Sequence, residues 1–330
     1  MVALIGGSGF IGTRLAGIMD QSGIAFRIID LVASPLKTAQ WVQGDVRDQK
    51  ALRKAMEGCD SIVNLAAQHR DDVRPITLYT EVNVNGAGNV CAAAEDLGIQ
   101  RIIFTSSVAV YGSTMTETDE TGVLNPNNEY GRTKREAEQV YLHWQSCLPE
   151  RSLSIVRPTV VFGEGNRGNV FNLLRMIASD KFLMVGRDKT VKSISYVENV
   201  SAFLFHLLDS GPGVRIFNYA DKPDMSTEEL VLLVKKVLGK RQVIGLRIPY
   251  WIGYAGGSLL DIIAALTGRR LPISAIRIRK FCMNSQFTSN WIEESGFIPP
   301  VRMVDALVRT IQHELTGAQS IIKGGSDLGE

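Results

Sequence analysis

Tyr130 and Lys134, in the run EYGRTK, stand four residues apart, so a helix through them sets both side chains on one face. A phenol titrates near pH 10 and is a poor base at neutral pH. An ammonium one turn away stabilises the phenolate, and a drop of roughly three units takes about 4 kcal/mol of differential stabilisation. A lysine so placed can also hold ribose hydroxyls. Upstream, FTSSVAVYG (104–112) closes an apolar run with three hydroxyls, Thr105, Ser106 and Ser107, and no acidic residue separates them from Tyr111. The chemistry these types support is proton transfer at a hydroxyl group.

A second constellation lies at the N-terminus. GGSGFIG carries Gly6, Gly9 and Gly12 between an apolar run and a helical pattern. Glycines there let the backbone turn tightly and approach a pyrophosphate, whose charge sits at the helix N-terminus. Eighteen residues beyond Gly12 comes Asp30, at the end of the next apolar run. Its carboxylate can accept from both ribose hydroxyls, which favours NAD over NADP, because a 2′-phosphate would meet a negative charge. GDVRD then offers Asp45 and Val46, where an adenine amine can donate to the carboxylate, and NLAA (64–67) offers small side chains for a close-passing cofactor. In order, at successive run ends, they outline one dinucleotide groove.

The elements that must position these residues alternate. Strands are expected at 2–6, 26–30, 39–44, 61–66, 101–106 and 153–158, with helices around 10–22, 48–57, 74–97 and 130–147. Such alternation with apolar strands reads as an α/β fold, a Rossmann doubly wound parallel sheet. From about residue 160 the pattern loosens into helices at 168–179, 198–209, 226–238, 250–266, 273–282 and 303–315, with short strands near 191–197 and 214–219. The expected organisation is a cofactor domain over 1–160, a smaller mixed α/β substrate lobe over 161–315 with some chain exchange between them, and a disordered tail over 316–330.

Composition narrows the partners. With 330 residues, 45% hydrophobic and 21% charged, the chain can bury a full core, and a formal net charge of only +2 implies no nucleic-acid partner. Cys59, Cys91, Cys147 and Cys282 are far apart, with no CxxC and no nearby histidine, which argues against zinc or a disulfide framework. Four thiols behind an N-terminus without a basic leader point to a reducing cytosol. Charge is uneven, however. Ten basic residues lie between Lys235 and Lys280 (Lys235, Lys236, Lys240, Arg241, Arg247, Arg269, Arg270, Arg277, Arg279 and Lys280) against one acid, Asp261. Within that stretch IPYWIGYAGGSLLDIIAALTG (248–268) is apolar. The block suits anionic lipid, so 248–280 is expected to form a membrane-facing element that does not span, since Pro249, Gly256, Gly257 and Asp261 sit badly in a bilayer core. A buried helix with solvated arginines is the competing reading.

Taken together, GGSGFIG, GDVRD, NLAA, NVNG (83–86), SSVAVYG, YGRTK, RPTVVFG (157–163) and YVENV (196–200) resemble the extended short-chain dehydrogenases/reductases, the group of NAD-dependent epimerases and dehydratases. The resemblance implies that Ser107, Tyr130 and Lys134 are catalytic, with Ser107 hydrogen-bonding the sugar oxygen being oxidised. It implies that Asn83 braces the active helix. It adds Phe10, Ile11, Leu65, Ala66, Ala67 and Pro158 to the cofactor contacts, with NAD as cofactor. Dehydratases of the group carry acids directly after the strand-end hydroxyl, where this chain has Val108 and Ala109. The chemistry should therefore stop at hydride and hydroxyl-proton transfer, as in a 4-epimerase working through a transient 4-keto sugar.

AQHRDDVRP, RPTVVFGEGNRGNVFNLL, NYADKPD and RIRKFC carry a closer likeness, to bacterial 4-epimerases of diphospho-linked N-acetylhexosamine on undecaprenyl diphosphate, converting the N-acetylglucosaminyl to the N-acetylgalactosaminyl form for surface polysaccharide (lipopolysaccharide O-antigen). Nucleotide-sugar epimerases usually carry an asparagine three residues after the strand-six arginine, a place taken here by Val160. Asn169, Lys192 and Arg279 match phosphate- or linkage-contacting positions in relatives; His69 and Arg70 receive no role. The alternatives are a soluble UDP-N-acetylglucosamine or UDP-glucose 4-epimerase, kept open by Arg157, Asn169 and Lys192; a nucleotide-sugar 4-keto-reductase; and a cofactor-bound regulator or scaffold without turnover. The resemblance also implies a homodimer packed through helices 74–97 and 130–147, in the cytoplasm or peripheral at the inner face of its membrane.

Overall fold

The computed structural model describes residues 1–36, 39–70, 73–114, 116–179, 182–186, 190–267, 275, 278, 279, 282–292 and 294–316. The chain divides into two compact units. One holds Met1–Val161, Ile194–Asp221 and Phe287–Val301; the other holds Phe162–Ser193, Lys222–Gln286 and the segment from Arg302.

In the first unit, short apolar runs become the strands of a seven-stranded parallel sheet. These are β1 (Val2–Ile5), β2 (Phe26–Asp30), β3 (Gln40–Gln43), β4 (Ser61–Asn64), β5 (Arg101–Thr105), β6 (Ser152–Pro158) and β7 (Gly213–Tyr219), in the order β7-β6-β5-β4-β1-β2-β3. Val2 of β1 pairs with Phe26 on one side and Ser61 on the other. Strand order reverses there, and in open parallel sheets a ligand crevice opens at that point, beyond the strands' C-terminal ends. The α/β doubly wound expectation is met.

Both faces are covered, which is why the central strands β1, β4 and β5 are buried along nearly their whole length rather than alternating, while the edge strand β3 is largely exposed. Helices α1 (Phe10–Gln21) and α5 (Val197–His206) cover one face with Leu15, Ala16, Met19, Val200, Phe203 and Leu204. Helices α2 (Gln49–Ala55), α3 (Gly86–Leu97) and α4 (Glu129–Ser146) cover the other, with Leu52, Val90, Ala94, Ala137, Tyr141 and Trp144. The helix expected over 74–97 runs without a break from Thr77 to Leu97, with a π-helical stretch at Thr80–Asn85 leading into α3. The wide turn carries Asn83 inward, where it is 3% exposed. Pattern reading misses it because a one-residue insertion leaves the apolar period nearly intact.

Beyond β7, the Asp221 carboxylate gathers the Tyr196 amide (2.6 Å), Asn199 Nδ2 (2.8 Å) and the Tyr219 hydroxyl (3.3 Å). Burial outweighs those donors and pushes its pKa up to about 6.

The second unit is built from helices and two-residue strand pairs. Helix Thr227–Val237 starts from a capping box in which Ser226 and Glu229 exchange hydrogen bonds. Glu314, buried, accepts from the Gly165 amide (2.7 Å) and pairs with Arg167 (2.9 Å). Helix Tyr250–Thr267 sits down through its glycines. A Cβ on Gly253 would lie 2.5 Å from Val185 Cγ1, and one on Gly257 would lie 2.8 Å from the Ala275 amide nitrogen. With the small residues inward, large apolar ones point out: Trp251 is 70% exposed, and Tyr250, Ile252, Tyr254, Leu259 and Ile263 are exposed too. Arg269, Arg270, Arg277 and Lys280, most of the helix expected at 273–282, and the tail beyond 316 lie outside the described residues.

Candidate active site

The site is assembled at the C-terminal ends of β1, β2, β4 and β5. After β1 the chain turns through Gly6 at φ +74°, and a Cβ there would lie 2.6 Å from the Ala66 amide nitrogen. A Cβ on Gly12 would lie 2.6 Å from the Gly7 backbone. The loop is thus pressed against both α1 and the end of β4, as only glycines allow. No side chain caps α1. Its first intrahelical bond runs from the Thr13 amide to Gly9 O (2.9 Å), so the Phe10, Ile11 and Gly12 amides face the helix's open N-terminus. Asp30, ending β2, accepts from the Ser8 amide (3.0 Å) and the Val32 amide (3.1 Å), which locks its carboxylate beside the glycine loop.

Two expected cofactor residues are more committed than the sequence implies. Asp45 is chelated by Arg47, Nη2 to Oδ2 at 2.6 Å, and this guanidinium holds its carboxyl below the usual range. Val46 is buried in the core and its carbonyl accepts from Asn89 Nδ2 (2.8 Å), so any contact it makes with a nucleotide runs through its backbone N–H. At the β4 exit, Asn64 accepts from the Ala66 amide (3.0 Å) and donates to the buried Tyr141 hydroxyl (2.7 Å), fixing Leu65, Ala66 and Ala67 beside Gly6. Pro158 is buried at the end of β6.

Ser107, Tyr130 and Lys134 come together. Ser107 caps a 3-10 turn, Val108–Tyr111, its Oγ accepting from the Ala109 amide (3.2 Å). Asn128 caps α4 by accepting from the Gly131 amide (2.8 Å). Gly131 is the residue whose importance the sequence reading missed. A Cβ there would lie 2.3 Å from Ala109 O, so a glycine is what lets the first turn of α4 touch the 3-10 turn. The available signal was the glycine directly after Tyr130. The contact brings the Tyr130 hydroxyl near Ser107, whose hydroxyl favours the phenolate. Asn83 braces the same helix: its Oδ1 accepts from the Gln68 amide (2.7 Å), and its Nδ2 donates to Gln68 O (3.1 Å) and to Thr133 Oγ1 (2.9 Å).

The electrostatics differ from the expected division of labour. Burial raises the Tyr130 pKa, and only the neighbouring Ser107 hydroxyl opposes it. Burial also lowers the Lys134 pKa to about 7, against the nearby charge of Glu138. Desolvation disfavours both charged forms, and in this pocket it outweighs the pairing that residue spacing alone brings to mind. The Lys134 Nζ lies 4.2 Å from the Phe104 ring centroid and has no hydrogen-bond partner among the described residues.

Arg157, one of the residues that kept a UDP carrier open, is turned into the protein. It is 3% exposed and forms a bidentate pair with Glu138, Nε to Oε1 at 2.9 Å and Nη2 to Oε2 at 2.7 Å. In the second unit, Asn169 is exposed at the first turn of helix Asn169–Ala178, and Arg279 is exposed. Lys192 is partly buried, with Nζ donating to Met283 O (2.9 Å). His69 and Arg70 are exposed, and all four cysteines are free thiols.

A family model described as the NAD dependent epimerase/dehydratase family matches residues 2–220. The chain belongs to that family. Its cofactor is NAD, and the structure fits it on two counts: a glycine loop that a Cβ would fill, and Lys134, 2% exposed, whose amine makes no hydrogen bond to the described residues. The chain is 45% identical over 322 residues, 96% of each chain, to the N-acetyl-α-D-glucosaminyl-diphospho-ditrans,octacis-undecaprenol 4-epimerase of Escherichia coli O157:H7. It is 28% identical over 290 residues, 81% of this chain and 85% of the relative, to the UDP-glucose 4-epimerase of Vibrio cholerae. Among solved structures, the UDP-glucose 4-epimerase of Thermotoga maritima superposes with a TM-score of 0.75 at 18% identity, covering 96% of this chain and 99% of that one. At that identity the likeness shows the fold.

Proposed function

We propose that this protein is an NAD-dependent sugar 4-epimerase whose substrate is an N-acetylhexosamine linked by diphosphate to a polyprenol, interconverting the N-acetylglucosaminyl and N-acetylgalactosaminyl forms for surface polysaccharide assembly. The observation that carries the reading is the joined Ser107–Tyr130–Lys134 cluster with no acid beside it: Val108 and Ala109 follow Ser107. Bound NAD supplies a reversible hydride acceptor at C4. Gly6, Gly9, Gly12 and the Phe10 and Ile11 amides hold its pyrophosphate, Asp30 its adenosine ribose, and Lys134 its nicotinamide ribose. Ser107 orients the O4 hydroxyl, and Tyr130 takes the O4 proton and gives it back. A positive charge entering beside Tyr130, on Lys134 or on the ligand, offsets the burial that holds the phenol protonated. Without a carboxylate after Ser107, nothing removes a C5 proton or expels a C6 hydroxyl.

The lipid carrier is supported by the 45% identity across both units and by Val160, which stands where nucleotide-sugar enzymes usually place an asparagine. With Arg157 held by Glu138, one of the residues that kept a UDP carrier open no longer argues for it. We read the exposed face of helix Tyr250–Thr267 as a peripheral contact with the membrane that would hold the polyprenol. Aromatic and aliphatic side chains face outward there, and among the described residues no helix is long and apolar enough to cross a bilayer. Asn169, Lys192 and Arg279 are our candidates for the diphosphate, and a homodimer through α3 and α4 completes the reading.

The deciding experiment offers the protein, with NAD, polyprenyl-diphosphate N-acetylglucosamine and UDP-N-acetylglucosamine in separate reactions, followed by acid release and identification of the hexosamine. Galactosamine from the lipid substrate alone is the expected outcome. Galactosamine from the UDP sugar alone would assign the chain to the soluble class. Net formation of NADH with release of an oxidised 4-keto sugar would make it a keto-reductase running in reverse.

A further inference from the structure

A buried polar chain runs behind the reacting cluster. Glu138 lies one helical turn beyond Lys134 on α4 and has no exposed surface. Its Oε1 accepts from the Ser106 hydroxyl and from Arg157 Nε, and its Oε2 accepts from Arg157 Nη2 (2.7 Å). Arg157 Nη1 donates to the Tyr111 hydroxyl (2.6 Å), and that hydroxyl donates to Asn218 Oδ1 (2.8 Å). Asn218 Nδ2 closes the chain on the carbonyls of Thr118 (3.2 Å) and Thr288 (3.0 Å). Ser106 immediately precedes Ser107, and Tyr111 ends the 3-10 turn that Ser107 caps. The chain therefore grips the backbone on both sides of Ser107 while setting a carboxylate next to Lys134.

Stability alone is a poor reason for such a pair. Desolvating two charges costs several kcal/mol each, and well-packed apolar side chains of the same volume often do as well or better. What an apolar pair cannot do is fix a strand exit by directed hydrogen bonds and leave a negative potential at one chosen amine.

We propose that Glu138, held by Arg157 and Tyr111, is a positioning residue that sets the placement of the Ser107 hydroxyl and the charge state of Lys134. Among the described residues, the charged and titratable groups on Lys134's side of α4 are Tyr130, Glu138 and Tyr141, the last packed on the Phe104 ring; β6 adds Arg157 through its pair with Glu138, and β5 faces the amine with the uncharged Phe104 ring. Of these, Glu138 is the group that opposes loss of the ammonium. The kinetic part of the proposal rests on the epimerase reading; the titration of Lys134 does not.

The test uses the full chain with NAD. Glu138→Gln keeps the shape and can still accept from Ser106, but removes the charge. It should lower kcat about tenfold or more, as loss of a charged partner in a buried network does. KM should stay within about twofold, and the alkaline limb of the pH profile should move to lower pH by about one unit. NMR of lysine-labelled protein, with Lys134 assigned through Lys134→Gln, should place its midpoint near 7 in the wild type and lower in Glu138→Gln. A second variant, Glu138→Leu with Arg157→Met, replaces the pair by packed apolar groups; it should fold and remain slow. Wild-type kcat in either variant, or an unmoved Lys134 midpoint in Glu138→Gln, overturns the proposal. A wild type that turns over no sugar but shows the Lys134 shift would count against the epimerase reading and leave this one standing.

Discussion

The two units of this chain break opposite conventions. In the first, charged and polar side chains are buried: Glu138, Arg157, Asn83, Lys134 and Asp221 are each 3% exposed or less. In the second, large apolar side chains are gathered on the surface of one helix, where Tyr250, Trp251, Ile252, Tyr254, Leu259 and Ile263 are all exposed. Buried polar groups must be held by partners, and contiguous exposed apolar side chains mark contact surfaces. Under the proposed function the contrast separates chemistry from address: proton transfer is assigned to the first unit, and the lipid contact to the second.

The largest break of this comparison is Tyr130→Phe. Removing the proton acceptor at the joined cluster should cut kcat by about 10³-fold or more, while NAD affinity and thermal stability stay near wild type. Steady-state kinetics with calorimetric NAD titration checks it. Next is Gly12→Val. Its branched side chain would be driven into the Gly7 backbone, so NAD binding should be lost and stability should fall by about 1–3 kcal/mol, read in urea unfolding.

Asp221 sharpens the meaning of a buried charge. Its folded pKa of about 6 lies above the ordinary carboxylate value of 3.8, so the folded state binds the proton more tightly than the unfolded chain. That contribution is fully present below pH 3.8 and is lost as pH rises through 6, a change of roughly 3 kcal/mol. Urea midpoints for Asp221→Asn and wild type should therefore differ in slope between pH 4 and 6.5 and run parallel above it. A smaller effect is expected for Asp30→Asn: about tenfold weaker NAD and a narrowed preference over NADP, measured by competitive binding. The smallest is on the second unit. Trp251→Ser should reduce flotation with anionic vesicles severalfold while kcat on a short, soluble polyprenyl substrate stays unchanged.

These outcomes also mark how far the sequence could be read. The sheet, the glycine loop, Asp30 and the Tyr130–Lys134 pair were legible because each rests on local spacing. Three features were not. The π-helical turn that turns Asn83 inward hides within an ordinary helical pattern. Gly131 matters only because Ala109 O arrives from another element. Arg157 kept a UDP carrier open because its partner, Glu138, is nineteen residues away on a different element. Tertiary contacts decide such roles, and burial decides charge states, which is why the phenol and amine pKa values depart from what their spacing alone implied.

The central claim is that a C4 hydrogen leaves and returns within one bound sugar while Tyr130 handles the O4 proton. Polyprenyl-diphosphate N-acetylglucosamine carrying deuterium at C4 tests it most directly. The account predicts N-acetylgalactosamine with the deuterium still at C4 and no net change in NAD redox state, with this product formed at about a thousandth of the wild-type rate or less by Tyr130→Phe. Product with the label exchanged into water, or equal turnover by Tyr130→Phe, would contradict it.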